Sequence, residues 1–245
     1  MTYCLGMLLN EGLALASDSR SNAGVDQVMR VSKLNLMPGS KDRLIVIQSA
    51  GNLATTQAVV TSLHEAYGGG DRALDLSLAP TMFEVAGILG AQLRARMAAD
   101  SSFVAPYGDA SGSFLVGGQI KGEAPRLFQI YSAGNFVEAT PRTPFLQIGE
   151  TKYGKPILDR SVTPKTTLTE AARLILLSFD ATTRSNLSVA PPIDILLYRA
   201  GSFSAANLVT VEEGDPYWNA LRRGYSEGLA ALVEGLPPPP ESWGA

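Results

Sequence analysis

The sequence predicts an α+β protein in which antiparallel sheets are covered by helices on their outer faces. Two observations lead to this prediction. Short apolar and β-branched runs, typical of strands, occur in groups, and segments with helical spacing of apolar residues also follow one another. The chain therefore lacks the strict strand and helix alternation of a parallel sheet, and layered antiparallel sheets are favoured. The predicted elements follow the order ββ, αα, ββ, α, β, α.

A β-hairpin is predicted at the start of the chain. Apolar runs at residues 3–9 and 12–17 are separated by Asn10-Glu11-Gly12, a combination typical of a turn between strands. Further strands are predicted at residues 27–36, where apolar residues alternate imperfectly, and at residues 43–48, a compact β-branched run.

Two helices are predicted to follow these strands. Residues 52–67 carry apolar side chains near helical spacing and end at three glycines, 68–70, which tolerate positive φ. The second helix is expected from about Pro80 to Met97, because proline suits a first helical turn. The remaining predicted elements are strands at 113–120, 126–131, 144–148 and 193–198, and helices at 169–179 and 217–233.

The 245 residues are expected to form a single domain, because no stretch resembles a linker long enough to divide them. A hydrophobic content of 45% with 18% charged residues describes a chain that can bury a sizeable core. Residues 236–245 begin with a leucine and four prolines, so this tail is expected to be extended or disordered.

Composition argues against several classes of function. The net charge is −3 and the basic residues are scattered, so no nucleic-acid partner is expected. Cys4 and His64 are the only cysteine and histidine, so we expect no intramolecular disulfide, no metal and no organic cofactor. The N-terminus lacks the features of a secretory signal and no apolar run approaches about 20 residues. A cytoplasmic protein without membrane contact is expected.

Thr2 is the candidate nucleophile. A small residue after the initiator methionine normally lets an aminopeptidase remove Met1, which would leave Thr2 with a free α-amine. A threonine alkoxide does not form unaided at neutral pH, but the amine, with a reference pKa of roughly 7.7 to 8.0, can accept the hydroxyl proton. A lysine nearby would lower that pKa, and a carboxylate would hold the lysine in place. Lys33 and Asp18 are the candidates for these two roles.

The start of the chain resembles the proteasome β-subunits and their bacterial relatives, the HslV-type peptidases and the ancestral β-subunit group called Anbu. These families place a threonine at the mature N-terminus, a strand-ending aspartate sixteen positions on, and a lysine some thirty positions on. Thr2, the Asp18-Ser19-Arg20 string and Lys33 match this pattern. The string at residues 149–155 is similar to Anbu rather than to HslV.

The resemblance implies further site residues. Gly51 lies in the turn before the first helix, where the family uses a backbone N–H as the oxyanion donor. Glu150 takes the position of a family serine that lies close to the nucleophile's amine. A glutamate there would raise the pKa of the amine or replace the serine as a proton carrier, so the route of the proton stays open. The family's supporting aspartate and serine fall on Asp180 and on Thr183 or Ser185.

The resemblance also implies a fold and an activity. The fold is the four-layer αββα sandwich of the N-terminal-nucleophile hydrolases, covering residues 2–235, with 201–235 as an extension of the HslV-like part. The activity is that of a self-assembling threonine peptidase, which forms an acyl-enzyme on Thr2 and acts on peptides or unfolded proteins. Its subunits would form a ring or an open spiral, and whether an unfoldase serves them is left open.

Two alternatives remain open at this stage. The first is an amidase on the same fold that cleaves a small amide rather than peptides. The second is a proteasome-like scaffold or peptide-binding oligomer with weak or no catalysis, which the replacement of the expected serine by Glu150 keeps open.

The last predicted helix and Cys4 allow two more expectations. Tyr217, Trp218 and Tyr225 on that helix suggest either core packing or a subunit interface, and we favour the interface because this segment exceeds the minimal fold. Cys4 is expected to be a buried core thiol rather than a nucleophile.

Overall fold

The computed structural model describes residues 1–23 and 27–243. The strands in these residues are β1 (Tyr3–Leu9), β2 (Gly12–Asp18), β3 (Arg20–Ala23), β4 (Gln27–Arg30), β5 (Leu34–Leu36), β6 (Arg43–Gly51), β7 (Gly112–Ile120), β8 (Arg126–Ile130), β9 (Phe136–Glu138), β10 (Phe145–Gly149), β11 (Ile193–Arg199) and β12 (Leu208–Val211). The helices are α1 (Leu53–Ala66), α2 (Met82–Val104), α3 (Lys155–Ser161), α4 (Leu168–Ser185) and α5 (Pro216–Glu234). None of the helices in this part of the chain combines the length and the apolar character that crossing a membrane requires.

Two five-stranded antiparallel sheets form the centre of the protein. The first has the strand order β10-β1-β2-β11-β12 and the second β5-β6-β7-β8-β9, while β3 and β4 form a separate hairpin. Along β1, Tyr3 lies opposite Gly149 of β10 and Cys4 lies opposite Ser17 of β2. The start of β1 is therefore flanked by the ends of β2 and β10.

Side chains along the central strands alternate between apolar clusters, because successive strand residues point to opposite faces of a sheet. On β1, Leu5 and Met7 pack in the cluster that includes α3 and α4, whereas Cys4 packs in the cluster shared by the two sheets. On β6, Ile45 and Ile47 pack in the cluster that includes α1 and α2. Such strands are buried on both faces, which explains their nearly continuous apolar sequences.

The α+β class predicted from the sequence is confirmed, but several predicted elements have other bounds. Helix α2 continues to Val104 rather than ending at Met97, and α4 continues to Ser185 rather than ending at residue 179. The second helix begins at Met82 rather than at Pro80, because Thr81 is its N-cap and accepts a hydrogen bond from the Glu84 N–H at 3.2 Å. The strand predicted at residues 27–36 is divided into β4 and β5, because the chain passes there from the hairpin to the second sheet.

Several elements are absent from the sequence prediction. Helix α3 has seven residues, and β9 and β12 have three and four, which is too short to show a clear periodic pattern. In the predicted tail, residues 237–240 belong to no helix or strand, and Glu241–Trp243 form one turn of 3-10 helix. Residues 244–245 of the predicted tail lie outside the described residues.

Candidate active site

Asp18 connects the start of β1 to Lys33. The backbone N–H of Tyr3, the residue after Thr2, donates a hydrogen bond to Asp18 Oδ1 at 2.8 Å. Lys33 Nζ donates to Asp18 Oδ2 at 2.7 Å and to the backbone carbonyl of Arg20 at 2.5 Å. The structure thus brings the carboxylate and the ammonium together directly beside the residue that bears the candidate nucleophile.

The ion pair between Asp18 and Lys33 is buried. Its side chains are 0% and 4% exposed, so their mutual attraction is strong but their desolvation is costly. Burial raises the pKa of Asp18 above its ordinary value, whereas the charge and the hydrogen bond of Lys33 lower it. The ionisation of Asp18 therefore depends on Lys33.

Backbone contacts hold the segment that carries Lys33. The carbonyl of Lys33 accepts a hydrogen bond from the Ser49 N–H at 3.1 Å, and the Val31 N–H donates to the carbonyl of Ser19 at 2.8 Å. The buried thiol of Cys4 donates to the carbonyl of Ser49 at 3.5 Å. Strand β6 and the Ser19 carbonyl between β2 and β3 thereby hold the segment that carries Lys33. Cys4 has the buried core environment that the sequence predicts.

Asp194 forms a second polar cluster next to the ion pair. Its Oδ2 accepts hydrogen bonds from the hydroxyls of Ser19 and Ser32, both at 2.9 Å, and its Oδ1 accepts from Thr210 at 2.8 Å. Ser19 follows Asp18 and Ser32 precedes Lys33, so this carboxylate links the two chain segments that supply the ion pair. Sequence reasoning missed Asp194, although an aspartate inside the apolar β11 run was a usable signal.

The side chain of Tyr3 also anchors the start of β1, through contacts with α4 and β10. Its hydroxyl lies 2.6 Å from Ser178 Oγ of α4 and accepts a hydrogen bond from Gln147 Nε2 of β10 at 2.6 Å. Burial raises the pKa of Tyr3 to about 12, although these hydrogen bonds oppose the change. Tyr3 is therefore a neutral anchor that links β1 to α4 and β10.

Gly51 is the last residue of β6 and directly precedes the first helix. Its φ is +107°, and a Cβ at this position would lie 2.5 Å from the carbonyl oxygen of Ser111, so only glycine fits without strain. Asn52 caps α1 by accepting a hydrogen bond from the Thr55 N–H at 3.1 Å. The positive end of the α1 dipole thus lies next to Gly51, which suits the binding of a developing negative charge.

Glu150 directly follows β10, the strand on the side of β1 that faces away from β2 and Asp18. Its backbone N–H donates to the carbonyl of Thr2 at 2.7 Å. The preceding Gly149 has a φ of +82°, and a Cβ there would lie 1.9 Å from the Thr2 oxygen. The Glu150 side chain is 3% exposed, and its Oε2 accepts a hydrogen bond from Asn186 Nδ2 at 2.9 Å. Lys152 Nζ lies 3.6 Å from its Oε1.

Several solved structures are similar to this chain over almost its whole length. Anbu, the ancestral β-subunit, from Yersinia bercovieri is 45% identical, with 98% of this chain and 99% of that chain covered and a TM-score of 0.91. The helical assembly of the Anbu complex from Pseudomonas aeruginosa is 46% identical, with 99% and 100% covered and a TM-score of 0.93. The chain belongs to the Anbu family. An Anbu (Gly-1) mutant from Hyphomicrobium sp. strain MC1 is 42% identical, with 98% and 100% covered and a TM-score of 0.90.

The Anbu membership confirms the family resemblance seen in the sequence. No protein-family model and no curated protein matches the chain. Among these relatives, the Anbu complex from Pseudomonas aeruginosa is a helical assembly.

The supporting residues expected on α4 of this Anbu chain lie in different surroundings. Asp180 is fully buried, and its carboxylate accepts hydrogen bonds from Arg184 Nε at 3.1 to 3.2 Å and from Arg222 Nε of α5 at 2.8 Å. Thr183 donates to the carbonyl of Asp180 within the same helix at 3.1 Å, and Ser185 is exposed. The described contacts of these three residues do not include Thr2, Asp18 or Lys33.

Asn186 is the residue of this segment that reaches Glu150 in the Anbu chain. It is the C-cap of α4 and its amide contacts the Glu150 carboxylate. The sequence analysis named Asp180 and Thr183 or Ser185, which precede Asn186 in the chain, but not Asn186 itself. An asparagine at the end of a helix does not by itself indicate a contact with Glu150, which lies 36 positions away along the chain.

A cleft of about 350 Å³ opens next to the Lys33 segment of the Anbu chain. Its lining residues are Val31, Ser32, Asn35, Ser49, Leu53, Thr56, Gln57, Val60 and Thr61. A larger groove of about 550 Å³ lies between the C-terminal end of α3 and the first turns of α4. Its lining residues fall between Ser161 and Leu177. We associate the smaller cleft with the site, because it alone of the two shares residues with the segment that holds Lys33.

Proposed function

We propose that this Anbu chain is a self-assembling N-terminal threonine hydrolase that cleaves peptide bonds with Thr2 as its nucleophile. The observation that carries the proposal is the buried Asp18–Lys33 ion pair, bound to the N–H of the residue that follows Thr2. A buried, paired ammonium beside a threonine is the arrangement that an N-terminal nucleophile needs for lowering the pKa of its amine and for offsetting developing negative charge.

The first half of the reaction forms an ester. Met1 is 61% exposed, which leaves it accessible to an aminopeptidase, and its removal frees the α-amine of Thr2. That amine accepts the Oγ proton while Oγ attacks the carbonyl carbon of the substrate amide. The N–H of Gly51 binds the resulting oxyanion, a contribution of about 3 to 4 kcal/mol for one such donor. Collapse of the intermediate breaks the C–N bond, and the ammonium gives its proton to the leaving nitrogen.

The second half of the reaction releases the acyl group. Water attacks the ester carbonyl on Thr2 Oγ and gives a proton to the free amine. The ester bond then breaks, the carboxylic acid leaves, and the proton returns to Oγ. Lys33 offsets negative charge in both halves, and Asp18 orients Lys33 by the contact between its Oδ2 and Lys33 Nζ.

The packing of the chain supports the αββα sandwich of N-terminal-nucleophile hydrolases as its architecture. One apolar cluster joins the two sheets, and two others join each sheet to its helices. The proposed domain covers residues 2–235, and residues 201–235 extend it through β12 and α5. Within this extension, Trp218 packs in the same cluster as α4.

The cleft beside Lys33 supports peptides or unfolded chains as substrates. Its lining side chains, all within the described residues, are uncharged and include both apolar and hydroxyl or amide groups. We therefore propose that it accepts a neutral side chain of the substrate.

The helical assembly of the Pseudomonas Anbu complex supports a homo-oligomer, with an open spiral favoured over a ring. A cytoplasmic location is part of the proposal and is supported by Cys4, a thiol with no disulfide partner in the sequence.

The test is intact mass spectrometry before and after exposure to a peptide epoxyketone, which reacts with both the hydroxyl and the free amine of an N-terminal threonine. Loss of Met1 and one adduct on Thr2 are expected, and Thr2→Ala should give no adduct. Cys4→Ala is the matched control and should keep the adduct, because its thiol is buried. Retained Met1, or an unreactive Thr2 in a processed chain, would contradict the proposal.

A scaffold with weak or no catalysis is the second candidate function. The observation that favours it is Glu150, a buried carboxylate beside Thr2 that is held by Asn186. Processed but unreactive Thr2 in an assembled particle is the result expected for such a scaffold. A small-amide hydrolase is distinguished by a narrow profile in a peptide library.

A further inference from the structure

The Glu150 carboxylate has one oxygen without a hydrogen-bond donor, although the residue is 3% exposed. Oε2 is bound by Asn186, whereas Oε1 is buried and has no hydrogen-bond partner within residues 1–23 and 27–243. Lys152 Nζ is 3.6 Å away, beyond hydrogen-bond distance, on a side chain that is 75% exposed. A buried carboxylate oxygen without a donor is unfavourable, so a donor is expected to reach it in the functional protein.

The processed N-terminus supplies such a donor at the right place. The Glu150 N–H contacts the Thr2 carbonyl at 2.7 Å, one residue beyond Tyr3 and Gly149, the last pair of the ladder between β1 and β10. Removal of Met1 converts the single N–H of Thr2 into an ammonium with three donors, next to a carboxylate that lacks one.

We propose that the Glu150 carboxylate is the counter-ion of the Thr2 α-ammonium, and that Asn186 is the positioning residue that directs its free oxygen toward that group. This role rests on the proposed function only in that both require Thr2 to be the first residue. A carboxylate beside the amine favours its charged form and raises its pKa. The free amine that accepts the Oγ proton is then a smaller fraction at neutral pH, so Glu150 slows the proposed reaction without abolishing it.

The other charged groups around the amine oppose or modify this effect. From β2 and the segment before β5, Asp18 and Lys33 face the start of β1 as a closed ion pair. From the loop after β10, Lys152 approaches Glu150 from solvent, and from α4 the contacting side chain, Asn186, is neutral. Lys33 lowers the amine pKa and Glu150 raises it. Because Asp18 offsets much of the charge of Lys33, the net shift of the amine pKa is upward when Glu150 is ionised.

The experiment measures the pKa of the Thr2 amine directly. The full chain starting at Thr2 is released from a cleavable N-terminal fusion, and competitive labelling with acetic anhydride across pH 6 to 10 is read by mass spectrometry of the N-terminal peptide. Glu150→Gln should lower the amine pKa by about 1 unit, the small end of the range for a nearby opposite charge. Near neutral pH this corresponds to about tenfold more free amine. Asn186→Ala should shift the pKa in the same direction by a smaller amount.

Glu227→Gln removes an exposed carboxylate on α5 and is the charge-matched control, with no expected change. An amine pKa in folded Glu150→Gln within about 0.3 units of the unsubstituted chain would overturn the proposal. Should Glu150→Gln fail to fold, an unchanged pKa in Asn186→Ala would overturn it instead. If Glu150→Gln shifts the amine pKa as expected but the unsubstituted chain forms no epoxyketone adduct, the hydrolase proposal is rejected and the counter-ion role of Glu150 is kept. If the adduct forms but the amine pKa does not shift, the hydrolase proposal is kept and the counter-ion role is rejected.

Discussion

At the scale of single residues, Asp18 and Lys33 are buried charges, and each is stable in its position only because the other satisfies it. Exposed fractions of 0% and 4% leave little access to water for either side chain. Removing one partner of such a pair leaves an uncompensated charge, which typically costs about 3 to 5 kcal/mol. The pair that supports the proposed chemistry is therefore also a point of sensitivity for folding.

Lys33→Met should lower the free energy of unfolding, and the loss should be greater at pH 8 than at pH 5. Burial raises the pKa of Asp18, and without Lys33 nothing of comparable charge opposes that rise. A carboxyl whose pKa is raised in the folded state stabilises the fold most at low pH, and this contribution is lost as pH rises through the folded pKa. Urea denaturation at both pH values measures the effect.

The double variant Asp18→Asn with Lys33→Met is the control for this prediction. It removes both charges, so it should be more stable than Lys33→Met alone and should lose the additional pH dependence. An equal loss of stability at pH 5 and pH 8 in Lys33→Met would show that Asp18 does not become protonated at the lower pH, which would contradict the prediction.

Sequence reasoning could find Asp18 and Lys33 because each has a fixed distance along the chain from Thr2. It could not find Asn186 or Asp194 as partners, because their contacts form only when distant elements close on one another. Asp194 is 162 positions from Ser32, and Asn186 is 36 positions from Glu150. A short-range pattern carries no information about such pairs.

At the scale of elements, Gly68 and Gly70, two of the three glycines after α1, have a partner that their sequence does not reveal. They were predicted only as a helix stop. In the structure the buried carboxylate of Asp75 accepts hydrogen bonds from the N–H groups of Gly68 at 2.9 Å, Gly70 at 2.8 Å and Ser77 at 2.9 Å. Asp75 thereby holds the turn that connects α1 to α2.

Asp75→Ala should destabilise the protein by about 1.5 to 3 kcal/mol at pH 7, the range for hydrogen bonds to a charged group. Burial raises the pKa of Asp75, but the hydrogen bonds from Ser77, Gly68 and Gly70 outweigh it and lower the pKa to about 2. A lowered carboxyl pKa stabilises the fold above the ordinary value of 3.8, and this contribution is lost as pH falls toward 2. Urea denaturation at pH 6 and pH 3 should show a smaller difference between the two proteins at pH 3.

Asp71→Ala is the control for the turn. Asp71 accepts one exposed hydrogen bond, from the Ala73 N–H at 2.9 Å, and its loss should cost less than that of Asp75. Equal costs for the two variants at pH 7 would contradict the holding role of Asp75.

At the scale of the whole molecule, the class and the order of the long elements could be predicted from the sequence, because buried strands and amphipathic helices leave strong patterns. The order of strands within each sheet could not, since β10 and β11 join β1 and β2 from distant parts of the chain. The surroundings of the aromatic residues of α5 could not be predicted from the sequence either. Trp218 is 1% exposed and packs in the core, contrary to the favoured interface, whereas Tyr217 is 56% exposed.

The outer face of α5 is expected to contribute to assembly. Leu229, Leu232 and Val233 are 49%, 60% and 62% exposed, which is a large apolar area for an isolated chain. Light scattering at micromolar concentration should give a mass several times the 25.9 kDa of one chain, and Leu232→Ser should lower that mass. Phe103→Ser changes an exposed apolar residue on α2 and should leave the mass unchanged. A monomeric unsubstituted chain would rule out assembly.

The contrast between Trp218 and Trp243 gives the chain its own optical reporter. They are its two tryptophans, one 1% and the other 77% exposed. The indole of Trp218, enclosed against α4, should emit at shorter wavelength and resist acrylamide quenching, while that of Trp243 should be quenched freely. In a Trp243→Phe chain excited at a wavelength that tyrosine does not absorb, the remaining tryptophan emission comes from Trp218 on α5 alone. Its wavelength therefore follows the docking of the C-terminal helix in real time, without any added dye.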